Sequence, residues 1–137
     1  MLEEEITYQI RKRFQHTTTV QNSTMFYTLA EHYHLTDIES LLFCYINGCF
    51  QMIAESKNFF ELDFHAVYKI VSSSKLNIHS EIELLNASIS WLKHNIKIRR
   101  KFAKKILLKV RLHLVPNRTL THLPFRCKIW TLSTLTN

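Results

Sequence analysis

The feature that most constrains the fold of this sequence is its single glycine, Gly48, accompanied by only two prolines. Barrels, sandwiches and doubly wound sheets depend on many tight turns, and such turns draw on glycine for positive φ. The chain can nevertheless fill a core, because 46% of its residues are hydrophobic and nine are phenylalanine. With 137 residues and no strand alternation, it predicts one all-α domain, an array of antiparallel helix pairs joined by short polar connections.

Two short helices are predicted at the start of the chain. Residues 3–14 begin with acids and end with bases, an order that suits the helix dipole. Residues 24–34 follow Asn22 or Ser23, and either side chain can cap the N-terminus of the second helix. A break that contains three threonines separates the two segments.

A longer amphipathic helix is predicted from Thr36 to about Ala54. Thr36 and Glu39 match the T-x-x-E capping box. The apolar residues that follow recur at helical spacing and fall on one broad face, which we expect to be buried: Ile38, Leu41, Leu42, Tyr45, Ile46, Cys49, Met52 and Ile53. Asp63 then caps a short helix over residues 64–72.

The stretch LNIHSEIELLNASISWLKHN, residues 76–95, predicts a helix that is apolar on two sides. Ser80 and Glu83 form a second capping box at its start. One apolar stripe contains Ile82, Leu85, Ile89 and Leu92, and the other contains Leu84, Ala87 and Trp91. A helix of this kind is normally buried between neighbours, so we expect it in the middle of the array.

A basic helix is predicted over residues 97–110, with most of its bases facing outward. Another short helix is expected after Pro116, because proline suits the first helical turn. The residues that we predict to form the core of the whole array are Leu41, Tyr45, Leu85, Ile89, Trp91, Leu92, Phe102 and Ile106.

Charge is distributed unevenly along the chain. Residues 1–83 contain all eleven acids and six of the bases, whereas residues 84–137 contain twelve Lys and Arg and no acid. One function compatible with this asymmetry is a basic helical domain that binds nucleic acid or an anionic surface through residues 97–111. Its contacts would be Arg100, Lys101, Lys104 and Lys105, with Trp91, Phe102 or Trp130 stacking on bases. A solvated basic face is the simpler interpretation.

No catalytic, cofactor or metal motif is present in the sequence. A single glycine nearly forbids phosphate-binding loops and nucleophile elbows, so we expect a protein that is not an enzyme and has no cofactor. Cys44 and Cys49 are separated by four residues inside a predicted helix, and this C-x4-C spacing is a poor arrangement for tetrahedral zinc. The odd number of cysteines predicts reduced thiols and a cytoplasmic or nuclear location. No apolar run is long enough to span a membrane, and the charged N-terminus is not a secretory signal.

Three segments resemble the BACK domain, the helical linker of BTB–Kelch proteins. The first is NSTMFYTLAEHYHLTDIESLLFCYINGCFQMIAES, and the second is FFELDFHAVYKIVSSSKLNIHSEIELLNASISWLKHN. In the second, the family pattern falls on Phe60, Leu62, Phe64, Leu76, Asn77, Ile78, Ser80, Glu81, Glu83, Trp91, Leu92, Lys93 and His94. The third, VRLHLVP at residues 110–116, is similar to the Val-Arg-Leu-x-Leu-x-x-Pro of the family. The resemblance divides the chain into an N-terminal helix at 1–21, a remnant of the 3-box region, a BACK-like domain at 22–123 and a tail at 124–137.

The resemblance implies a non-catalytic scaffold within a substrate adaptor of a cullin-3 RING ubiquitin ligase. BACK domains lie between a BTB domain, which binds cullin-3, and a Kelch propeller, which holds substrates. The helix pair over residues 22–54 corresponds to the part that adds to the cullin groove, and the implied contacts are Phe26, Leu29 and Tyr33. Because the resemblance includes neither a BTB domain nor Kelch repeats, we expect a truncated isoform or fragment that exposes apolar surface and self-associates.

Overall fold

The chain is described by a computed structural model that covers residues 2–116 and residue 118. Every regular element in this part of the chain is helical, which confirms the predicted all-α class. The tail at 124–137 and the helix expected after Pro116 lie outside these residues, except for Arg118. The α-helices are α1 (Leu2–Thr17), α2 (Val20–His32), α3 (Thr36–Gly48), α4 (Phe50–Ala54), α5 (Lys57–Phe60), α6 (Phe64–Val71), α7 (Glu81–His94), α8 (Ile96–Arg99) and α9 (Ala103–Leu107), with 3-10 turns at Arg100–Phe102 and Leu112–Leu114.

The N-terminus of α2 lies earlier in the chain than predicted. The Thr19 hydroxyl accepts a hydrogen bond from the Asn22 backbone N–H at 3.3 Å, and Asn22 Oδ1 accepts one from the Thr19 N–H at 2.7 Å. This reciprocal pair is a capping box in which asparagine takes the place of the usual glutamate or glutamine. Asn22 is therefore the third residue of the helix and not its cap, and the expected boundary at residues 21 and 22 falls inside α2.

The turn between α2 and α3 shows how a chain with one glycine reverses direction. His34 has a φ of 57°, in the left-handed region that glycine usually occupies. The His34 N–H donates to the Glu31 carbonyl at 3.2 Å and the Leu35 N–H to the Ala30 carbonyl at 2.8 Å. These two bonds form a Schellman motif, so the tight helix–helix connection is made with histidine, and α2 packs extensively along α3.

The long helix predicted over residues 36–54 is interrupted. It is divided at Cys49 into α3 and α4, and the carbonyls at the end of α3 are bound by the loop that precedes α7. The Asn77 backbone N–H donates to the Asn47 carbonyl at 2.9 Å, and its side-chain amide donates to the Gly48 carbonyl at 3.1 Å. The break thus follows from a tertiary contact with residues about thirty positions away, which local periodicity does not reveal.

Of the three predicted caps in this region, Asp63 is confirmed. Its Oδ1 accepts a hydrogen bond from the Ala66 N–H at 2.8 Å at the start of α6. Thr36 is the first helical residue of α3 and caps nothing, because Leu35 occupies the N-cap position. At α7, Ser80 is the N-cap but makes no side-chain cap bond, and the Glu83 carboxylate accepts from the His79 N–H at 3.1 Å instead.

We expect Asp63→Ala to lower the free energy of unfolding by about 1 kcal/mol, because it removes the acceptor of an orphan N–H in the first turn of α6. Thr36→Ala serves as the matched control and should change stability by no more than about 0.5 kcal/mol. Urea denaturation followed by far-UV circular dichroism gives both values. Equal losses for the two variants would contradict the assignment of the caps.

Helix α7 lies in the middle of the array and is buried on two sides. Leu84 and Trp91 are buried on one side, and Leu85 and Leu92 on the other. It packs against α5 on one part of its surface and against α8 and α9 on another. Asn86, Ser90 and Lys93 form the exposed strip, while Glu83, also expected there, is half-buried. The buried side chains of α7 join those of α2 to α6 and α9 in a single hydrophobic core.

Most of the predicted core residues lie in or against this core, but Leu41 does not. Leu85, Ile89, Trp91, Leu92 and Ile106 are buried, and Tyr45 and Phe102 are half-buried and pack against the core. The expectation for Leu41 is wrong, since it is 54% exposed. Helix α3 is covered on the narrow side formed by Ile38, Leu42 and Ile46, so the broad apolar face of the sequence is only partly enclosed.

The basic helix predicted over residues 97–110 is divided into α8, a 3-10 turn and α9. A 3-10 turn places residues three positions apart on the same side. Arg99 and Phe102 have this spacing and both face inward: the Arg99 guanidinium carbon lies 4.1 Å from the centre of the Trp91 ring, and Phe102 stacks on Phe64 with centroids 4.1 Å apart. The change from α-helix to 3-10 turn therefore brings Arg99 and Phe102 to the same side of the segment. On a continuous α-helix the two side chains would point about 60° apart around the axis.

Candidate functional site

Helix α2 carries an exposed apolar stripe, which we call the α2 surface and which consists of Met25, Leu29 and Tyr33. These residues are four positions apart, so they lie above one another on one side of the helix. Met25 is 51% exposed, and Leu29 and Tyr33 are each 37% exposed. The opposite side of α2 is anchored by Tyr27, which is completely buried. The burial of Tyr27 therefore holds α2, and with it the α2 surface, in a fixed position.

Phe26, which we predicted to lie with Leu29 and Tyr33 at a partner contact, is placed elsewhere. It is 6% exposed and belongs to the hydrophobic core. Phe26 lies about 60° around the axis from Leu29, at the edge of the stripe and next to the buried Tyr27, and the residues packed on that side of α2 enclose it. Met25 is exposed on this surface instead of Phe26. Its spacing of four residues from Leu29 was the sequence signal that could have predicted this.

A cleft of about 250 Å³ adjoins the α2 surface. Met25, Thr28 and Leu29 form its α2 side, and Asn58 and Glu61 lie on the opposite side, near α5. The Asn58 amide donates to the backbone carbonyl of Gln21, which ties α5 to the first turn of α2. An exposed apolar stripe beside a cleft with a polar rim has the composition of a small protein-binding site.

The α2–α3 pair is held to α6 by a charged contact. The Lys69 ammonium lies 2.9 Å from Glu39 Oε1, and it also lies over the rings of Tyr27 and Phe43. The hydrogen bond to Glu39 raises the pKa of Lys69, and burial raises the pKa of the Tyr27 hydroxyl. Both groups therefore keep their protonated forms at neutral pH, and the contact is constant over that range.

Helix α1 is attached to the pair by an exposed ion pair. Arg11 donates to the Asp37 carboxylate at the start of α3, and this hydrogen bond lowers the pKa of Asp37. The attachment is present above the ordinary pKa range of aspartate and is lost as the pH falls through the lowered value. Ile6 adds an apolar contact to the core.

A second surface, the basic face, is formed by the exposed cations of α8, the 3-10 turn, α9 and the residues just after α9. Its members are Lys97, Arg100, Lys101, Lys104, Lys105 and Lys109, and the four predicted anion contacts are among them. No member of the basic face forms an ion pair with another residue that the structure describes. Its charges are therefore available to an external anion.

Aromatic rings lie beneath three of these lysines. The ammonium groups of Lys101, Lys105 and Lys109 lie 5.0, 5.9 and 5.2 Å from the ring centres of Phe102, Phe64 and Tyr68, respectively. Cation–π contacts at these distances restrict where the ammonium groups lie. The lysines of the basic face thus form a row above an aromatic layer.

The rings predicted to stack on nucleic-acid bases are not accessible for that purpose. Trp91 is 1% exposed, and one face of Phe102 is occupied by Phe64 in a stack with an interplanar angle of 7°. Trp130 lies outside the described part of the chain. Neither of the two described rings therefore gives the basic face a base-stacking platform.

Two arginines of the same segment bind other parts of the protein, and sequence reasoning missed both roles. Arg99 donates to the Trp91 carbonyl at 2.7 Å and to the Phe60 carbonyl at 2.5 Å, and burial lowers its pKa. Arg111 binds the buried Glu81 carboxylate, with its Nε 2.9 Å from Oε1 and its backbone N–H 3.1 Å from Oε2. No sequence feature distinguishes Arg99 from its exposed neighbours, whereas Arg111 belongs to the VRLHLVP motif.

In the part of the chain that the structure describes, no three His, Cys, Asp or Glu side chains come together as a metal site. Cys44 is exposed and Cys49 is half-buried, and neither is in a disulfide. Among the same residues, no helix is both long and apolar enough to cross a membrane. The candidate functional sites in this part of the molecule are two surfaces, the α2 surface with its cleft and the basic face.

Comparison with known proteins identifies related chains. The family model BACK, described as "BTB And C-terminal Kelch", matches residues 23–124. The human Kelch repeat and BTB domain-containing protein 3 is 28% identical over 99 residues, which are 72% of this chain and 16% of that protein. The same-named mouse protein is 29% identical over 93 residues, 68% of this chain and 15% of that protein. The match therefore spans only a small part of the length of these relatives.

The region matched by the family model contains most of α2 and all of the helices from α3 to α9. Both candidate surfaces therefore lie within it. The central two-sided helix with Trp91, the Asn77 loop that binds the end of α3 and the Arg111–Glu81 pair all lie within the match. Since the family model covers well over half of the sequence, the chain belongs to the BACK domain family of BTB–Kelch proteins.

Proposed function

We propose that this domain is a non-catalytic scaffold of a BTB–Kelch-type substrate adaptor for a cullin-3 RING ubiquitin ligase, and that the α2 surface contributes a contact to cullin-3. Membership of a family of interaction domains supports the scaffold role. The names of the relatives, which combine BTB and Kelch, support a position between two such domains in a longer protein.

The observation that carries the cullin contact is the exposure of Leu29, which lines the cleft, and of Tyr33 four residues further along. Aromatic and aliphatic residues at the centre of a small apolar patch are the usual anchors of protein interfaces. The cleft gives such a partner room to insert a side chain between Met25 and the rim residue Glu61. Because the opposite side of α2 is buried, binding would require little rearrangement of the helix.

The scaffold role is supported by the way distant segments are joined. Glu81 at the start of α7 is bound to Arg111, thirty residues later, and Arg99 bridges the end of α7 to the segment after α5. These contacts hold the segment from Arg99 to Arg111 against α5 and α7. A linker with this property holds its two neighbours at a defined separation.

The test is calorimetric titration of the purified chain with the N-terminal domain of cullin-3, including its N-terminal extension. We expect binding, and we expect Leu29→Ser with Tyr33→Ser to weaken it at least about 10-fold. Ile98→Ser with Leu114→Ser is the control, because both residues are exposed but lie far along the chain from α2. Absence of binding, or equal weakening by the two double variants, would contradict the proposed contact.

The self-association expected from the sequence stays a prediction. Exposed apolar residues are present on several elements, including Leu41, Met52 and Leu108. A concentration series in analytical ultracentrifugation before the titration would show whether these residues cause association of the free domain.

A further inference from the structure

We propose that the basic face of α8 and α9 is a docking surface for an acidic peptide segment of a partner protein. This surface is separate from the α2 surface and gives the domain a second contact. The proposal rests on the unpaired charge of the face, the fixed positions of its lysines and the apolar side chain exposed among them.

The charge of the face has no counterpart nearby in sequence. Residues 84–137 contain no acid, and the one described acid that contacts this segment, Glu81, is bound to Arg111. That pair is an internal example of the proposed chemistry, in which a carboxylate is held by a base and a backbone N–H of the same segment. The six exposed cations beside it present the same chemistry to solvent.

The spacing of the lysine row fits a peptide. Lys101, Lys105 and Lys109 are four residues apart in a segment that runs from the 3-10 turn through α9 to the residues just after it, which corresponds to a rise of about 6–8 Å between successive backbone positions. Carboxylates four residues apart on a helix, or two residues apart on an extended chain, have about the same separation. Because each lysine already lies over a ring, it loses less conformational freedom on binding than a free surface lysine.

The apolar residue among these charges favours a peptide over nucleic acid. Leu108 is 54% exposed and follows Lys104 and Lys105 along α9, immediately before Lys109. Against nucleic acid, a leucine at this place would remove water from the phosphate backbone and offer no polar group in return. Against a peptide, the same leucine can pack on an apolar side chain. Neither the buried Trp91 nor the stacked Phe102 can bind an unpaired base.

The packing of α9 also disfavours a membrane surface. A helix that binds at the membrane interface inserts its apolar side into the lipid. In α9 that side consists of Ala103, Ile106 and Leu107, and all three are buried in the hydrophobic core. Only the charged side with Leu108 is available to a partner.

The test uses the purified chain and a fluorescently labelled peptide of about 15 residues, with glutamates at every fourth position and a central leucine. Fluorescence anisotropy should detect binding, and the same peptide with glutamine for glutamate should bind at least about 10-fold more weakly. Lys101→Gln/Lys105→Gln/Lys109→Gln should weaken binding of the acidic peptide by about 10-fold or more. All three side chains are exposed, so the variant retains the fold, as far-UV circular dichroism can verify.

The matched control is Lys12→Gln/Lys57→Gln/Lys75→Gln, which removes the same charge from exposed positions elsewhere. It should leave binding within about 2-fold, because distant exposed charges are screened by salt. Leu108→Ser should weaken peptide binding and leave any binding of duplex DNA unchanged. Equal effects of the two triple variants, or tighter binding of duplex DNA or phosphatidylserine vesicles than of the peptide at the same ionic strength, would overturn the proposal.

The cullin and peptide contacts can fail independently. The lysine variant leaves the α2 surface intact and should bind cullin-3 like the unmodified chain, and Leu29→Ser with Tyr33→Ser should bind the acidic peptide normally. Loss of both interactions in either variant would overturn the assignment of two separate surfaces.

Discussion

Replacing Trp91 by alanine is expected to lower the free energy of unfolding by about 3–5 kcal/mol, the range for truncating a large buried aromatic side chain. Trp91 is 1% exposed and is the largest fully buried side chain of the described core. Its Nε1–H donates to the Leu62 carbonyl at 2.9 Å, so α7 is bound to the segment after α5 at this point. The substitution removes that hydrogen bond, leaves a cavity in the centre of the array and removes the ring over which Arg99 lies.

Trp91→Phe is the informative companion of this change. Phenylalanine retains an aromatic ring but has no N–H, so the Leu62 carbonyl keeps only the longer contact with Arg99 Nη2 at 3.4 Å. We expect a loss of about 1–3 kcal/mol, smaller than that of the alanine variant. Denaturation in urea, followed by far-UV circular dichroism because Trp130 also fluoresces, measures both. A loss below about 1 kcal/mol for Trp91→Ala would show that the ring is not part of a close-packed core.

Replacing Arg99 by methionine is expected to lower the free energy of unfolding by about 2–3 kcal/mol. Methionine keeps much of the apolar stem but leaves the Phe60 and Trp91 carbonyls without the donor that the guanidinium supplies. Charge-assisted hydrogen bonds to partly buried carbonyls are among the stronger ones, and an unsatisfied buried carbonyl is destabilising. The guanidinium remains charged although burial lowers its pKa, so the effect should be nearly constant from pH 5 to pH 9, roughly the range in which arginine does not titrate.

Arg100→Met is the matched control for this prediction. It removes the same charged group from the adjacent residue, which is exposed and belongs to the basic face. We expect a change of no more than about 0.5 kcal/mol. If the two methionine variants lost equal stability, the inward hydrogen bonds of Arg99 would not be a source of stability. Since Trp91 and Arg99 are in contact, the double variant should lose less than the sum of the single losses.

Local patterns in the sequence were sufficient for the existence and order of most helices. The Asp63 cap is confirmed because an N-cap bond is made within four residues and needs no tertiary context. The two-sided pattern around Leu85 and Trp91 predicts a central helix because both of its stripes must be covered. The motifs that carry the BACK resemblance lie on the same elements, which explains why the family could be identified from these residues.

The exposure of individual residues was decided by the neighbours of each helix. Leu41 and Leu42 are adjacent on α3, yet Leu41 is exposed and Leu42 is buried, because the covering helices enclose only one side of α3. Phe26 on α2, which was expected at a partner contact, is buried for the same reason. Hydrophobic periodicity shows which side of a helix is apolar. It does not show how much of that side the neighbouring helices cover.

The sequence by itself determined that this chain is helical, where its strongest helices lie and to which family it belongs, since propensity, capping and spaced motifs act over a few residues at a time. Only the tertiary structure decided which arginine turns inward, where Asn77 ends α3 and how the lysines of the basic face align above Phe64 and Tyr68. Each of these contacts joins segments about thirty or more residues apart, and their free energy depends on packing that no local pattern encodes.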